Sequence, residues 1–146
     1  MKFSTNGLEL LKKLEGFRAK PYPDSGGKMT VGYGHLIVPG DGVAVGDIID
    51  PMKATELLSK DVKYAVDGVN NNVTSSITQN QFDALVIFTY NVGVSAFKNS
   101  TLLKMLKAGD VAGASLQFLR WDKVNGVSIP GLHTRRVAEQ TLFNTK

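Results

Sequence analysis

Glu15, Asp24 and Thr30 are the residues whose types and spacing could do chemistry. Hydrolysis of a glycosidic bond needs one carboxylic acid to protonate the leaving oxygen. A second carboxylate must position a water or attack the sugar carbon. Glu15 stands at the end of a helical pattern, in the run Leu14-Glu15-Gly16-Phe17-Arg18. A helix C-terminus disfavours an added negative charge and the apolar Leu14 acts in the same direction, whereas Arg18 opposes both. Asp24 follows Pro23 in the turn-rich run Tyr22-Pro23-Asp24-Ser25-Gly26-Gly27, where water reaches it. Thr30 opens the run Thr30-Val31-Gly32-Tyr33-Gly34-His35, and its hydroxyl is suited to holding a water against Asp24. Two carboxylates in unlike surroundings are the pattern of an acid and base pair. Spacing alone equally allows a surface glutamate and a turn-forming aspartate.

The elements that must position these groups are legible in part. Leu8, Leu11 and Leu14 recur at helical spacing behind Asn6, a cap with Glu9 three residues on, and Gly16 ends that helix. From Phe17 to Gly46 the chain is rich in glycine, carries three prolines and holds short β-favouring pieces such as Met29 to Tyr33. That predicts a small hairpin-rich sheet. Asp50-Pro51 reads as an N-cap with proline at the first helical position, and Leu58, Val62, Ala65, Val66 and Val69 share one face of the helix that follows. Thr78 and Gln81 form a capping box before Phe82, Leu85, Val86 and Thr89. Further helices are expected at 100–107, 111–119 and 134–143, separated by Gly93, Gly109 and the stretch from Asn125 to Gly131. The layout is α+β with segregated parts, not alternating βαβ units. Its parts are a sheet lobe over about 15–50, a connecting helix over 51–72, and a helical lobe over 73–146 that packs with the N-terminal helix 5–15. Such a form places a cleft where ligands commonly sit.

Bulk properties fit one domain of 146 residues with ordinary globular composition, 42% hydrophobic and 21% charged. There is no cysteine, so disulfides are excluded and a reducing cytosol is permissive. No apolar segment resembles a signal peptide or a membrane span, which predicts no self-export and no stable membrane insertion. The net charge of +4 is consistent with a polyanionic partner such as an anionic envelope, and equally with simple solubility. His35 and His133 have no H-x-x-x-H or cysteine partner, so no metal site and no cofactor is expected. His35 is read instead as a buried hydrogen-bonding or ion-paired group of the sheet lobe, and Trp121 as core of the helical lobe. Gly32 and Gly34 read as positions needing positive φ or close approach, not as a phosphate loop.

The order Glu15, Asp24, Thr30 resembles the catalytic triad of phage-type lysozymes, endolysins of glycoside hydrolase family 24. The run from Thr30 to Leu36 is similar to that family's T-x-G-x-G-H turn. Tyr90-Asn91-Val92-Gly93, Phe97-Lys98-Asn99-Ser100, Arg120-Trp121, Gly131-Leu132 and Arg135-Arg136 extend the likeness over nearly the whole chain. The resemblance implies a lysozyme-like two-lobed fold and a muramidase that cleaves the β-1,4 bond between N-acetylmuramic acid and N-acetylglucosamine in peptidoglycan. It implies Glu15 as proton donor, with Asp24 and Thr30 orienting the attacking water. The family's inverting outcome requires roughly 6.5 to 9.5 Å between the two carboxyl groups. By the same resemblance Leu36, Tyr90, Ser100 and Ser115 match substrate-binding positions, although core packing accounts for Tyr90 equally well. Some relatives pair the catalytic acid with an arginine; here His133, Arg135 and Arg136 stay open for that part. The resemblance further implies a monomeric enzyme that waits in the host cytoplasm and depends on a holin to reach the cell wall.

Three other readings stay open. A lytic transglycosylase breaks the same bond without water, and has no need of Asp24 and Thr30. A non-catalytic wall-binding module would tolerate the loss of Glu15. A nucleic-acid binder has only the charge in its favour, with no recognition motif, so no nucleic-acid partner is expected.

Overall fold

The first helix, α1 (Thr5–Glu15), is capped by Ser4 and not by the expected Asn6. The Ser4 hydroxyl accepts the Gly7 N–H at 3.1 Å and donates to the carboxylate of Asp83, which also accepts the Ser4 N–H at 3.1 Å. A cap anchored on a buried carboxylate outcompetes a solvated asparagine two residues later. At the other end, Gly16 takes φ +72° and its N–H bonds the Lys12 carbonyl at 2.9 Å, so α1 stops directly behind Glu15.

The computed structural model describes residues 1–146, which form two compact units. One comprises residues 8–63 and the other residues 1–7 with 64–146. In the 8–63 unit, β1 (Arg18–Pro23), β2 (Met29–Gly32) and β3 (His35–Leu36) make an antiparallel sheet in that order. The register sets Arg18 opposite Gly32 and Tyr22 opposite Thr30, with an irregularity between them. Helix α2 (Pro51–Asp61) covers the sheet, and Val31, Val43, Ile49, Ala54 and Leu57 form the core. Gly32 is obligatory there: it has φ +67°, and a Cβ would stand 3.0 Å from the Ala54 Cβ. The expected cap at Asp50 forms, its side chain accepting the Lys53 N–H at 2.8 Å ahead of Pro51.

The single helix expected over 51–72 is divided. Its second part is α3 (Lys63–Asn72), and Val62 between the two keeps a right-handed helical backbone (φ −77°, ψ −12°). Leu58, Val62, Ala65 and Val69 are all buried, so the helical periodicity runs through the break.

In the other unit, α4 (Gln79–Val92) is buried without interruption from Phe82 to Thr89, as suits a central helix. Its capping box forms as expected, with Thr78 and Gln81 each accepting the other's backbone N–H. Around it lie α5 (Val94–Lys98), α6 (Thr101–Lys107), α7 (Val111–Gln117) with a 3-10 turn at Phe118–Arg120, and α8 (Pro130–Asn144). Phe88 meets Phe118 and Trp121 edge-on at 5.3 and 5.5 Å, and Phe118 meets Phe143 at 5.3 Å, so Trp121 belongs to this core.

Two expectations are corrected in this unit. Helix α8 begins at Pro130, four residues before the expected start, because proline is favoured at the first helical position. The stretch after Trp121, read as a separator, contains a hairpin of β4 (Lys123–Val124) and β5 (Val127–Ser128). No helix of the structure is long and apolar enough to cross a membrane.

Candidate active site

Asp24 occupies the turn between β1 and β2, and its two carboxylate oxygens have different surroundings. Oδ1 accepts the N–H groups of Gly26 and Lys28, both at 2.8 Å. Oδ2 makes no hydrogen bond within the protein and faces outward on an exposed residue. Such a side-chain-to-backbone turn fixes the carboxyl group's orientation while leaving one oxygen for a ligand.

Thr30 is buried on β2, and its hydroxyl donates to the Lys28 carbonyl at 3.1 Å. That same carbonyl accepts the Asp24 N–H at 2.8 Å. One peptide segment, at Lys28, therefore fixes both residues. With its proton committed, the Thr30 oxygen is left to accept. A water donating one proton to Thr30 and the other to Asp24 Oδ2 would turn a lone pair away from the protein, the orientation an attacking water requires.

Glu15 is half-buried at the last position of α1. Gly34, with φ +86°, approaches it: a Cβ on Gly34 would stand 3.6 Å from Glu15 Oε2. The second glycine of the turn thus keeps backbone close to the carboxylate without a side chain over it.

His35 follows directly and is held from both sides. Its Nδ1 meets Asp61 Oδ2 and its Nε2 meets Asp41 Oδ2, each at 2.7 Å. Burial disfavours the charged ring, but the hydrogen bonds and attraction of Asp41 and Asp61 outweigh it and raise its pKa above the ordinary 6.5. Asp41 is lowered from 3.8 to about 2 by the Val38 N–H first, then by His35 and the Val43 N–H. The expected buried ion pair of His35 is present, and it ties the loop after β3 to the end of α2. Local sequence marks neither of its two partners. Asp41 sits in a Gly-Asp-Gly turn, a sequence that signals only a bend, and Asp61 is 26 residues away on a helix.

Leu36 is exposed on β3, paired with Thr30. The other three candidate substrate positions belong to the other unit. Tyr90 is half-buried with its ring 5.9 Å from that of Tyr64, whose hydroxyl donates to the Tyr90 carbonyl at 2.9 Å. Ser100 is buried, donates to the Phe97 carbonyl at 2.7 Å and accepts the Leu103 N–H at 3.1 Å, so its hydroxyl caps α6. Ser115 is buried and donates to Asn144 Oδ1 at 2.9 Å.

His133, Arg135 and Arg136 each hold partners within their own unit. His133 Nδ1 lies 3.2 Å from Asp122 Oδ2. Arg136 bonds Glu139, the Trp121 carbonyl and Asn91. Arg135 bonds Glu139 and the Ile87 carbonyl. No cluster of three histidine, cysteine or carboxylate side chains is arranged to hold a metal ion.

A family model described as Phage lysozyme matches residues 12–139. The endolysin of Bacillus phage PZA is 44% identical over 99% of this chain, which spans 56% of that relative's length. The endolysin of Acyrthosiphon pisum secondary endosymbiont phage 1 is 40% identical, with 99% of each chain covered. Other relatives carry the name SAR-endolysin. Among solved structures, the muramidase domain of SpmX from Asticaccaulis excentricus superposes with a TM-score of 0.90 at 36% identity, covering 99% of each chain.

Proposed function

The chain belongs to the phage lysozyme family, a family of peptidoglycan-hydrolysing glycosidases; from that membership we propose that it hydrolyses the β-1,4 bond between N-acetylmuramic acid and N-acetylglucosamine, with Glu15 as general acid. Glu15 protonates the leaving glycosidic oxygen. A water held by Asp24 Oδ2 and Thr30 Oγ1 attacks the anomeric carbon and gives its proton to Asp24, leaving a reducing muramic end. The observation that carries this reading is the Lys28 carbonyl, which binds the Asp24 N–H and the Thr30 hydroxyl at once. By fixing Asp24 and Thr30 to one peptide it supports a reaction that uses a water over one that dispenses with it.

Clearing of purified peptidoglycan, with the soluble products identified by mass, is the test. Glu15→Gln should lower the rate at least a hundredfold, the low end of what a general acid contributes, which is roughly 10²–10⁴. Reducing muramic ends are expected; 1,6-anhydro ends would establish a transglycosylase. Attack by a water on the face opposite the leaving group inverts the anomeric centre, so proton NMR of the first-formed product should show the α-anomer.

For release we propose that the enzyme waits in the host cytoplasm as a monomer and reaches the wall through a membrane lesion made by a holin. Relatives named SAR-endolysin point to a second route. Expression in a bacterial host with and without a holin decides between them, because lysis without one would discard the holin requirement.

A further inference from the structure

Strand β1 carries a cation that the proposed reaction does not use. The Arg18 guanidinium carbon lies 4.3 Å from the centre of the Tyr22 ring. Arg18 is exposed, and none of its N–H groups donates a hydrogen bond or pairs with a carboxylate within the protein. The same unit contains a counterexample. Lys12 also sits over a ring, 5.8 Å from the centre of Tyr33, but its charge is met by Glu9 at 3.0 Å. Arg18 is therefore held in place by stacking while all five of its donors stay open.

Its position places it beside the reacting groups. Arg18 is opposite Gly32 and Tyr22 is opposite Thr30, while Asp24 follows Tyr22 by two residues on the same strand and turn. A glycan bound over Asp24 and Thr30 would pass this strand, since Tyr22 pairs with Thr30. The muramic acid of the proposed substrate bears a side arm that ends in carboxylates, either on its lactyl group or on the peptide attached to it. A planar guanidinium fork matches a carboxylate with two parallel N–H···O bonds, and stacking removes part of the cost of holding the fork still.

We propose that Arg18, braced on Tyr22, is a binding site for a carboxylate of the muramic acid side arm, and so selects wall glycan over uncharged amino-sugar polymers. This rests on the reading of Glu15, Asp24 and Thr30 as a muramidase site, yet its test does not need turnover. Affinity is measured by calorimetry on the Glu15→Gln protein with soluble glycan strands in three forms. The first are intact strands, the second are stripped of peptide so that the lactyl carboxylate is free, and the third have every carboxylate converted to a methylamide. Adding Arg18→Gln should weaken binding of intact strands about tenfold, the low end for a charge-assisted contact. Amidation should bring the affinity of the Arg18 protein down to that of the variant. Arg18→Lys, which keeps the charge without the fork, should fall between the two.

A penalty on intact strands alone assigns the contact to a carboxylate of the peptide, and a penalty on both forms shows that Arg18 takes whichever carboxylate ends the side arm, the peptide's in intact strands and the lactyl group's in stripped ones. An equal penalty on amidated strands would overturn the proposal, as would Arg18→Lys binding as weakly as Arg18→Gln. Unchanged thermal melting of both variants keeps a folding defect from imitating the result. Failure of the wild type to clear peptidoglycan would sink the hydrolase reading separately, since these affinities do not depend on it.

Discussion

Asp24 and Glu139 are both carboxylates fixed by several hydrogen bonds, and they are fixed for opposite ends. Asp24 is exposed in a turn, with one oxygen taken by two backbone N–H groups and the other left open. Glu139 is fully buried on α8, where Oε1 accepts from Arg136 at 2.8 Å and Oε2 from Arg136 at 2.9 Å and Arg135 at 3.1 Å. Burial pushes the Glu139 carboxyl up against the pull of its two arginines. Arg136 is itself pinned to the Trp121 carbonyl and packed over Phe88. A saturated buried group cannot meet a ligand, and a half-satisfied exposed one contributes little to stability. The contrast separates a carboxylate open to a ligand from a carboxylate that locks α8 onto the centre of its unit.

Single isosteric changes should break the pair in opposite ways. If Asp24 holds the attacking water, Asp24→Asn removes the charge that does so, and the clearing rate should fall by roughly 10²–10⁴ with melting unchanged. A variant that clears normally would remove Asp24 from the mechanism. Glu139→Gln takes from two buried guanidiniums the carboxylate charge that they share. Breaking a buried ion pair from one side costs about 3–5 kcal/mol. Chemical denaturation should register that loss, while clearing per folded molecule stays the same. A stable Glu139→Gln would show that the two arginines find other partners.

His35 lies between these extremes, being buried yet titratable. Its pKa is raised on folding, so its stabilising contribution is complete below its unfolded value of about 6.5 and is lost as pH rises through the higher folded value. Asp41 runs the other way: its folded pKa is near 2, so its share is present above about 3.8 and is lost as pH falls toward 2. The gap in melting temperature between wild type and His35→Asn should therefore be widest in mildly acid solution and narrow toward alkaline pH. A gap independent of pH would mean that the ring acts by shape alone.

Local signals predicted the elements that rest on neighbouring residues. The capping box at Thr78, the cap at Asp50 and the stop at Gly16 all use contacts within a few positions, and all form. What sequence left hidden depends on partners brought from far along the chain. Asp83, 79 residues from Ser4, decides where α1 begins, and Asp61 meets His35 across 26 residues. The candidate site divides on the same line. Glu15, Asp24 and Thr30 stood out as residues, but the Lys28 carbonyl that joins two of them is backbone, to which a reading of side chains is blind.

The hairpin of β4 and β5 is the exception, because its signal is local and lies in the turn alone. Val124-Asn125-Gly126-Val127 is the two-residue turn pattern that most favours a tight hairpin, and both central residues take positive φ, 51° at Asn125 and 80° at Gly126. Its strands are two residues each and exposed, so no alternation of polar and apolar residues announces them. Asparagine tolerates the left-handed region and a β-branched residue does not. Asn125→Val should therefore cost only about 1–2 kcal/mol. Asp122, at the base of the hairpin, accepts from Ser128 at 3.0 Å and meets His133 at 3.2 Å, so opening the turn should loosen the start of α8 as well. Hydrogen exchange is the measurement that separates the two outcomes. Faster exchange confined to 123–128 would make the hairpin an independent flap, whereas faster exchange reaching the first turn of α8 would show that it braces the helix that carries Arg135, Arg136 and Glu139.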